Sequence, residues 1–487
     1  MIGAGEKMRS RLGQNALYNM IYQVISIVVP LITSPYLARV VGADGIGQYA
    51  VTNSVANYFF IFAMLGVNNY GNRAIAQNKA DRKSLSSTFW QIYYLQVICA
   101  LIVGSLYGIF CIRFTSDEMR FMYMIQGIFV FSSITDINWF AFGMERFKTT
   151  TIRNIVVKAI TTVSIFVFVN DANDVGIYTF VIHLGTVAGL LVIWPMIIKE
   201  TDIEKPRLGE MLKHLKPNLV LFIPYLSGSI YHGMDKIMLG AFDNNAAAGY
   251  YTYSLNILNI PLGIITAVCT VFMPRIAYLV KQNEKENAFL LFEKGFLYMG
   301  IITIAMWFGV MAISPVFVPY YLGSGYQKTA EMLIILAFSI VLTGLADVLR
   351  SMYLIPYEKD KVYTISVITG TIVNFIGNLI AIPLLGGYGA CWATVFAKVA
   401  SLLVEIGMTF NELPYISWIK KMVPYLFLGG VMYIVAFAIS NLNLHPLVLI
   451  CLIVLVSVLL YMSGTILVLR FVEKDEYIKE LLKKVRI

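Results

Sequence analysis

The chain has 487 residues, of which 58% are hydrophobic and only 13% are charged, and its mean hydropathy is +0.73. A soluble domain carries roughly a quarter of charged residues, so this composition excludes a soluble protein and indicates an integral membrane protein. The formal net charge of +9 does not indicate a nucleic-acid partner, because the positive charges follow the loops between apolar segments.

Apolar segments long enough to cross a membrane recur along the whole chain. A transmembrane helix needs about 20 apolar residues to cross the hydrocarbon core. A scan at that width predicts an all-α integral membrane protein with about fourteen spans: 16–38, 46–66, 89–110, 119–142, 150–169, 176–198, 218–241, 249–273, 288–311, 331–354, 362–385, 388–410, 423–441 and 446–469. The short basic start carries no cleavage pattern, so we expect no cleavable signal peptide.

Positive charges alternate between the two sides of the predicted membrane. Of the 37 lysines and arginines, 30 fall on one side together with both termini, four fall on the other side, and three fall within spans. Cytoplasmic loops of membrane proteins are enriched in Lys and Arg. The pattern therefore predicts a multi-pass protein of the cytoplasmic membrane with both termini cytoplasmic.

Two halves of the sequence share residues at constant offsets. The pairs are Gly47–Gly249, Tyr49–Tyr251 and Arg73–Arg275 at an offset of 202, and Glu145–Glu358 and Gly176–Gly389 at an offset of 213. Because transporters are often built from internal repeats, these offsets predict a six-helix unit that is used twice. Two further helices follow the second copy.

The repeat divides the chain into five predicted regions. They are an N-terminal six-helix lobe (1–198), a cytoplasmic linker (199–217), a C-terminal six-helix lobe (218–410), two additional transmembrane helices (411–470) and a basic amphipathic cytoplasmic tail (471–487). The tail is expected either to lie along the inner membrane surface, held by anionic lipid, or to be solvated.

Cations mark the end of the first helix in each half. The stretch "GMDKIMLGAF" places Asp235 beside Lys236 within the seventh predicted span. A charge inside a membrane costs a few kcal/mol or more, so it indicates either function or a side chain that reaches the interface. Lys236 lies four residues before Gly240, and Arg39 lies three before Gly42. This shared placement favours cations that face a common cavity.

Two more lysines lie deep within predicted spans. Lys158 is eight residues into span five, far from either interface, so we expect it to face a water-filled cavity. Lys398 is central in span twelve, and Glu405 lies two turns away on the same helix face. The sequence leaves open whether Glu405 neutralises Lys398 or belongs to the cytoplasmic rim.

The acids Asp136, Asp235, Asp347 and Glu405 are candidate coupling or gating residues. Asp136 and Asp347 occupy similar places in spans four and ten, and they either take part in coupling, close an inner gate by pairing with Arg153 or Arg350, or cap helix ends locally. Asp235 is most simply the partner that balances Lys236. The cysteines and histidines do not cluster, so we predict no metal site and no cofactor.

Four stretches carry a family resemblance: "YLARVVGADGIGQYA" (36–50), "WFAFGMERFK" (139–148), "MDKIMLG" (234–240) and "AGYYTYS" (248–254). In their order and spacing they resemble the polysaccharide transport family. These are the lipid-linked oligosaccharide flippases of the multidrug/oligosaccharidyl-lipid/polysaccharide exporter superfamily, and the resemblance extends over nearly the whole chain.

The resemblance implies two lobes in a V-shape around a central cavity that works by alternating access. It implies as cargo an undecaprenyl-diphosphate-linked oligosaccharide, a precursor of O-antigen, capsule, exopolysaccharide or teichuronic acid, moved from the inner to the outer leaflet. The diphosphate of such a cargo requires fixed cations, for which the candidates are Arg39, Lys158, Lys236 and Lys398. Membrane lipids are implied partners, and the glycosyltransferases and polymerase of the same pathway are further candidates.

Other functions differ in what they would require of the sequence. A multidrug or organic-cation antiporter needs acids in its cavity, whereas here the lysines within the spans balance the acids. A glycan polymerase or ligase needs an extracytoplasmic loop for its chemistry, and the longest outer stretch (314–331) has one lysine, one glutamate and no histidine. A non-transporting scaffold and a peptidoglycan-precursor flippase both stay open.

Overall fold

The computed structural model describes residues 25, 26 and 28–471, and every regular element within them is helical. The α-helices are α1 (Val28–Val40), α2 (Gly42–Met64), α3 (Val67–Asn78), α4 (Arg82–Arg113), α5 (Asp117–Ser132), α6 (Asn138–Gly143), α7 (Phe147–Phe168), α8 (Val175–Leu191), α9 (Trp194–Glu200), α10 (Leu208–Leu212), α11 (Leu215–Phe242), α12 (Asn245–Lys281), α13 (Lys285–Leu322), α14 (Gln327–Ala337), α15 (Ser339–Leu349), α16 (Asp360–Leu385), α17 (Gly387–Thr409), α18 (Tyr415–Ser440) and α19 (Pro446–Phe471). A π-helical turn, Arg350–Leu354, follows α15. The predicted tail lies outside the described residues after its first residue.

The all-α class and the multi-pass character are confirmed. In the described part of the chain, 10 helices are long and apolar enough to cross a membrane, or 11 if the bent pair Ser324–Ala337 and Ser339–Leu354 is one span. Each predicted span overlaps at least one helix. Some spans are divided in the structure: the fourth, for example, consists of α5 and α6. The count of fourteen stays a prediction.

One face of α4 shows why the chain requires a membrane. Its exposed apolar side chains recur three or four residues apart, which places them on a single face of the helix. They are Ile98, Leu101, Ile102, Leu106, Ile109 and Ile112. The opposite face of the same stretch is buried through Ala100, Tyr107 and Cys111. An exposed apolar stripe of this length is stable against hydrocarbon and costly against water.

The chain divides into two compact units, which meet in sequence between Gly249 and Tyr250. In the first unit, a core of large side chains forms around Trp139, Phe140, Phe89 and Ile75, none of which is exposed. Helix α11, which the sequence assigns to the C-terminal lobe, packs against α2 and α3 of this unit. The predicted lobe boundaries stay a prediction.

The start of the predicted linker is attached to α4. The guanidinium of Arg82 donates to the carboxylate of Asp202, with the shortest of these distances at 2.9 Å. The amide of Asp202 donates to Ser86 Oγ at 2.9 Å, and Trp90 Nε1 donates to the carbonyl oxygen of Asp202 at 2.9 Å. The linker therefore has a fixed point at Asp202.

The second unit has its own aromatic core on α13 and α18. Trp418 is fully buried and its ring lies 5.6 Å from that of Phe292 and 4.9 Å from that of Phe296. Nearby, α16 and α17 form a tight hairpin. Gly386 joins them with a φ of 57°, and a Cβ atom added to Gly389 would lie 2.1 Å from the carbonyl oxygen of Ala381.

Glycines of the predicted repeat make a reciprocal contact where α12 begins. A Cβ atom added to Gly47 would lie 1.7 Å from the carbonyl oxygen of Asn245, and one added to Gly249 would lie 1.9 Å from that of Ala43. Ala43 and Asn245 are themselves 202 residues apart. The two close approaches are therefore related by the same offset, which supports the internal repeat.

Candidate functional site

Asp235 and Lys236 lie about two turns before the end of α11. Asp235 is only 6% exposed, and it is near enough to both Lys236 and Tyr58 of α2 to interact with them electrostatically. The helices approach closely here, because a Cβ atom added to Gly233 would lie 3.0 Å from Tyr58 Oη. Asp235 thus has a cation and a phenol as neighbours, which suits a charge-balancing role.

Arg39 is exposed near the end of α1. Its Nη1 donates to the carbonyl oxygen of Pro35, one turn earlier, at 3.5 Å. This contact is local to α1. The predicted common site of Arg39 and Lys236 stays a prediction.

Lys158 is half-buried on α7 and has a partner on the segment that precedes α1. Its Nζ donates to Ser26 Oγ at 2.7 Å. A hydroxyl partner satisfies one of the three ammonium protons but does not neutralise the charge. The hydrogen bond to Ser26 fixes the position of the ammonium group, and the cavity that Lys158 is expected to face stays a prediction.

Asp136 lies between α5 and α6, two residues before the shorter helix begins. Its Oδ1 accepts a hydrogen bond of 3.0 Å from the amide of Asn138, and Asp136 is 7% exposed. Arg153 donates to Asn138 Oδ1 at 3.0 Å and lies near enough to Asp136 to interact electrostatically. The structure therefore gives Asp136 local contacts, and its candidate roles in coupling or gating stay predictions.

Glu405 is paired with Arg350, a partner that the sequence alone did not indicate. Arg350 Nε donates to Glu405 Oε1 at 2.5 Å, and Arg350 Nη2 donates to Ser401 Oγ at 2.9 Å. Ser366 Oγ donates to the same Glu405 oxygen at 2.8 Å. Glu405 is 0% exposed, so the pair joins the π-helical turn to α17 in a buried environment.

Asp347 and Lys398 complete a balanced cluster of two acids and two bases. Asp347 Oδ1 lies 3.8 Å from Arg350 Nη1, and Thr266 Oγ1 donates to Asp347 Oδ2 at 3.4 Å. Lys398 is near enough to Asp347 to interact electrostatically. We call Asp347, Arg350, Lys398 and Glu405 the α15–α17 charge cluster. Within the described residues, Glu405 Oε2 is buried and has no hydrogen-bond partner.

A second polar site, absent from the sequence predictions, lies where α3, α4 and α11 come together. A cavity of about 530 Å³ is lined in part by Arg73, Lys216, Tyr70 and His214. His214 Nδ1 accepts from Tyr70 Oη at 2.7 Å, and its Nε2 bonds Gln91 Oε1 at 2.8 Å. Of the residues that line this cavity, the sequence analysis had singled out Arg73 alone, as the repeat partner of Arg275.

Burial lowers the pKa of His214, and the adjacent Lys213 lowers it further. The imidazole is therefore neutral near pH 7, with Nε2–H as donor to the Gln91 carbonyl and Nδ1 as acceptor from Tyr70. The net charge of the cavity wall then comes from Arg73 and Lys216, and an anion is the ligand that such a wall favours. Within residues 25, 26 and 28–471, no group of three or more His, Cys, Asp or Glu side chains could hold a metal ion.

The described part of the chain is an all-helical, multi-pass membrane protein with buried charges on its helices. Residues 12–280 match the model of a family described as polysaccharide biosynthesis protein, and the chain belongs to this family. The resemblance stated from the sequence motifs is thereby confirmed.

Two curated relatives match most of the chain. The chain is 21% identical over 75% of its length to a protein of Escherichia coli (strain K12) named as a candidate O-antigen transporter, of which 88% is covered. A Shigella dysenteriae protein of the same name is 20% identical over 79% of the chain and 95% of that protein. Both relatives are thus named for transport of a polysaccharide.

The fold is similar to that of solved transporters. The lipid II flippase MurJ in an inward closed conformation gives a TM-score of 0.73 at 15% identity, covering 93% of this chain and 99% of that one. A multidrug resistance MATE family transporter in an inward-facing conformation gives 0.54 at 15% identity, covering 79% and 98%. At these identities the similarity establishes the fold alone.

Proposed function

We propose that the protein is a flippase that moves an undecaprenyl-diphosphate-linked oligosaccharide from the inner to the outer leaflet of the cytoplasmic membrane by alternating access. The observation that carries the proposal is membership of a polysaccharide biosynthesis family by a chain with a flippase-like fold. Partly buried cations on its helices support an anionic cargo. The positive-inside pattern supports a cytoplasmic position for both termini.

The cations Arg39, Lys158, Lys236 and Lys398 would bind the diphosphate or anionic glycan at successive stages of transport. An ammonium within a low-dielectric wall attracts a diphosphate far more strongly than it does in bulk water. The acids Asp136, Asp235, Asp347 and Glu405 would couple or gate the transport cycle. The lipid tail would stay in the membrane, and the pathway's glycosyltransferases and polymerase would supply and consume the cargo on either side.

Export of glycan to the cell surface tests the proposal in a strain that lacks its own flippase. The chain should restore surface glycan, Lys236→Ala should lose most of the export at equal protein abundance, and Lys236→Arg should retain much of it. Arg39→Lys should be less benign, because a guanidinium binds a phosphate through two parallel hydrogen bonds and an ammonium does not. Asp235→Asn is the matched control and should cost less than loss of the lysine.

Full export by the Lys236→Ala, Arg39→Ala double variant would show that both charges only reach the interface, and Lys158 and Lys398 would then be the remaining candidates. Rescue of a strain that lacks its lipid II flippase, without rescue of glycan export, would replace the proposed cargo by a peptidoglycan precursor. Drug resistance as the sole phenotype would favour an antiporter. A reporter fusion at residue 206 that reads as extracytoplasmic would overturn the orientation.

A further inference from the structure

A groove between α13 and α18 of the second unit combines lysines at one end with apolar side chains along its floor. Its volume is about 570 Å³. Lys294, Lys420 and Lys421 line one end, and the floor includes Leu297 and Ile301. None of these residues belongs to the charge cluster or to the cations assigned to the cargo.

The two helices run parallel, so their charged ends coincide. Successive contacts pair Trp418 with Glu293, Met422 with Gly300, and Gly429 with Phe308. Residue numbers rise together along both helices, which requires a parallel packing. Each helix thus begins at the lysine end of the groove and continues along the apolar floor.

The lysine end carries an excess of two positive charges. Lys421 Nζ lies 3.8 Å from Glu293 Oε1, which also accepts a hydrogen bond of 2.9 Å from Trp418 Nε1. Lys294 and Lys420 are exposed and make no ion pair with any described residue. The single acid is therefore already engaged by an indole and one lysine, which leaves two lysines for an external anion.

We propose that the groove binds an anionic phospholipid, with the headgroup phosphate between the lysines and an acyl chain along the floor formed by Leu297, Ile301 and Pro424. Basic pockets between transmembrane helices on the cytoplasmic side of a membrane are suited to acidic lipid headgroups. The lysines lie near the N-terminal ends of α13 and α18, which the positive-inside pattern predicts to be cytoplasmic. A free phosphate would leave the apolar floor uncovered, and a zwitterionic lipid would leave the excess charge unbalanced.

The test is lipid titration of the purified, delipidated full-length protein, read by native mass spectrometry. Each lysine near a headgroup changes anionic-lipid binding by roughly fivefold. We expect the triple variant Lys294→Gln, Lys420→Gln, Lys421→Gln to bind phosphatidylglycerol at least about tenfold more weakly than the parent chain. Binding of phosphatidylcholine with the same acyl chains should be weak in both proteins.

The matched control removes three exposed lysines of the first unit, as Lys148→Gln, Lys199→Gln, Lys213→Gln. It has the same net charge as the groove variant and should bind phosphatidylglycerol within about twofold of the parent, since the remaining loop charges act only through screened, longer-range attraction. An equal loss in this control would assign the binding to general surface charge and overturn the site.

Glu293→Gln gives a prediction of the opposite sign. The amide oxygen still accepts from Trp418, but the negative charge is removed, so phosphatidylglycerol should bind several-fold more tightly. Three results would overturn the proposal: unchanged binding in the triple variant, equal binding of phosphatidylcholine and phosphatidylglycerol by the parent, or displacement of the lipid by equimolar inorganic phosphate. None of these readouts depends on transport, so the proposed function does not affect the outcome.

Discussion

Glu145 and Glu358 adopt the same left-handed backbone conformation, with φ angles of 58° and 56°. In each turn the amide of the following residue bonds a carbonyl five positions earlier, at 2.9 Å and 2.8 Å. The two glutamates are separated by the offset of 213 residues that the sequence repeat predicts. The repeat therefore extends from residue type to backbone conformation.

The cation that follows each of these glutamates forms an ion pair in its own unit. Arg146 Nη2 lies 2.9 Å from Glu200 Oε1, and Lys359 Nζ lies 2.6 Å from Glu412 Oε1. Hydrogen bonds from Lys359 and then Tyr353 hold the pKa of Glu412 below its ordinary value. Each half therefore contains a left-handed turn followed by a cation that forms an ion pair. The cation is arginine in the first half and lysine in the second.

The substitution Glu358→Gly should stabilise the protein. A left-handed conformation costs an L-residue roughly 1–2 kcal/mol, and Glu358 is exposed, so little packing is lost with its side chain. We expect Glu358→Gly to raise the melting temperature in detergent by a few degrees, and Glu358→Val to lower it. Glu284→Gly is the control, because Glu284 has a φ of −82° and should only lose stability. Equal shifts at both positions would exclude the backbone as the cause.

Separating Arg350 from Glu405 should be among the most destabilising changes in the second unit. Removal of one partner of a buried ion pair costs about 3–5 kcal/mol, because the other charge is left buried. We expect Arg350→Met to unfold at a markedly lower temperature, and the Arg350→Met, Glu405→Leu double variant to recover most of that loss.

Export by the stabilised double variant then separates two roles of the cluster. If Glu405 couples or gates transport, as proposed, the folded double variant should lose most of its export. Export at the level of the parent would limit the pair to holding the π-helical turn against α17. Protein abundance and melting temperature are measured on the same samples.

The substitution Gly47→Ala should disrupt the start of α12. The added Cβ atom would lie 1.7 Å from the Asn245 carbonyl oxygen, which belongs to the backbone and cannot rotate away. We expect Gly47→Ala to cost at least about 1–3 kcal/mol through backbone displacement. Gly108→Ala is the control, because its Cβ atom would meet nothing within 4 Å, and a helical Gly→Ala change normally stabilises. Matching losses in both variants would contradict the close contact.

Acid should weaken the hydrogen bonds of His214. Its pKa is lowered in the folded state, so the unfolded chain binds a proton at higher pH than the folded chain does. The stabilising contribution is therefore complete above about pH 6.5, the ordinary pKa of histidine, and falls as the pH drops below that value. Melting curves between pH 8 and pH 5 should show a loss that is reduced in His214→Gln. A loss of equal size in His214→Gln would assign the effect to other groups.

The apolar runs predicted where helices form, but they did not predict the break between α5 and α6. That stretch contains no proline or glycine. Its Ser133 and Thr135 hydroxyls donate to carbonyls three residues earlier, and Asp136 accepts from the amide two residues later. Short polar side chains replaced the helical hydrogen bonds, and an average of hydropathy over about 20 residues does not register such a local exchange.

The sequence identified Glu405 as a candidate but not its partner. Helical spacing relates only residues on the same helix, and it indicated Lys398 as a partner of Glu405. The partner in the structure is Arg350, which is 55 residues away in the chain. The direction from which a second helix approaches depends on packing between elements, which periodicity does not encode. The same limit explains why the sequence did not bring Arg73 and Lys216 together, although they line one cavity.

The hydrogen bonds at Asp202 also have a mechanical consequence. Only residues 203–207 separate this fixed point on α4 from the start of α10. Six fully extended steps of chain cover at most about 20 Å. While Asp202 stays hydrogen-bonded to α4, the start of α10 cannot move farther than this distance from Asp202. Any conformational change that separates α10 from α4 is limited by the length of the connecting segment.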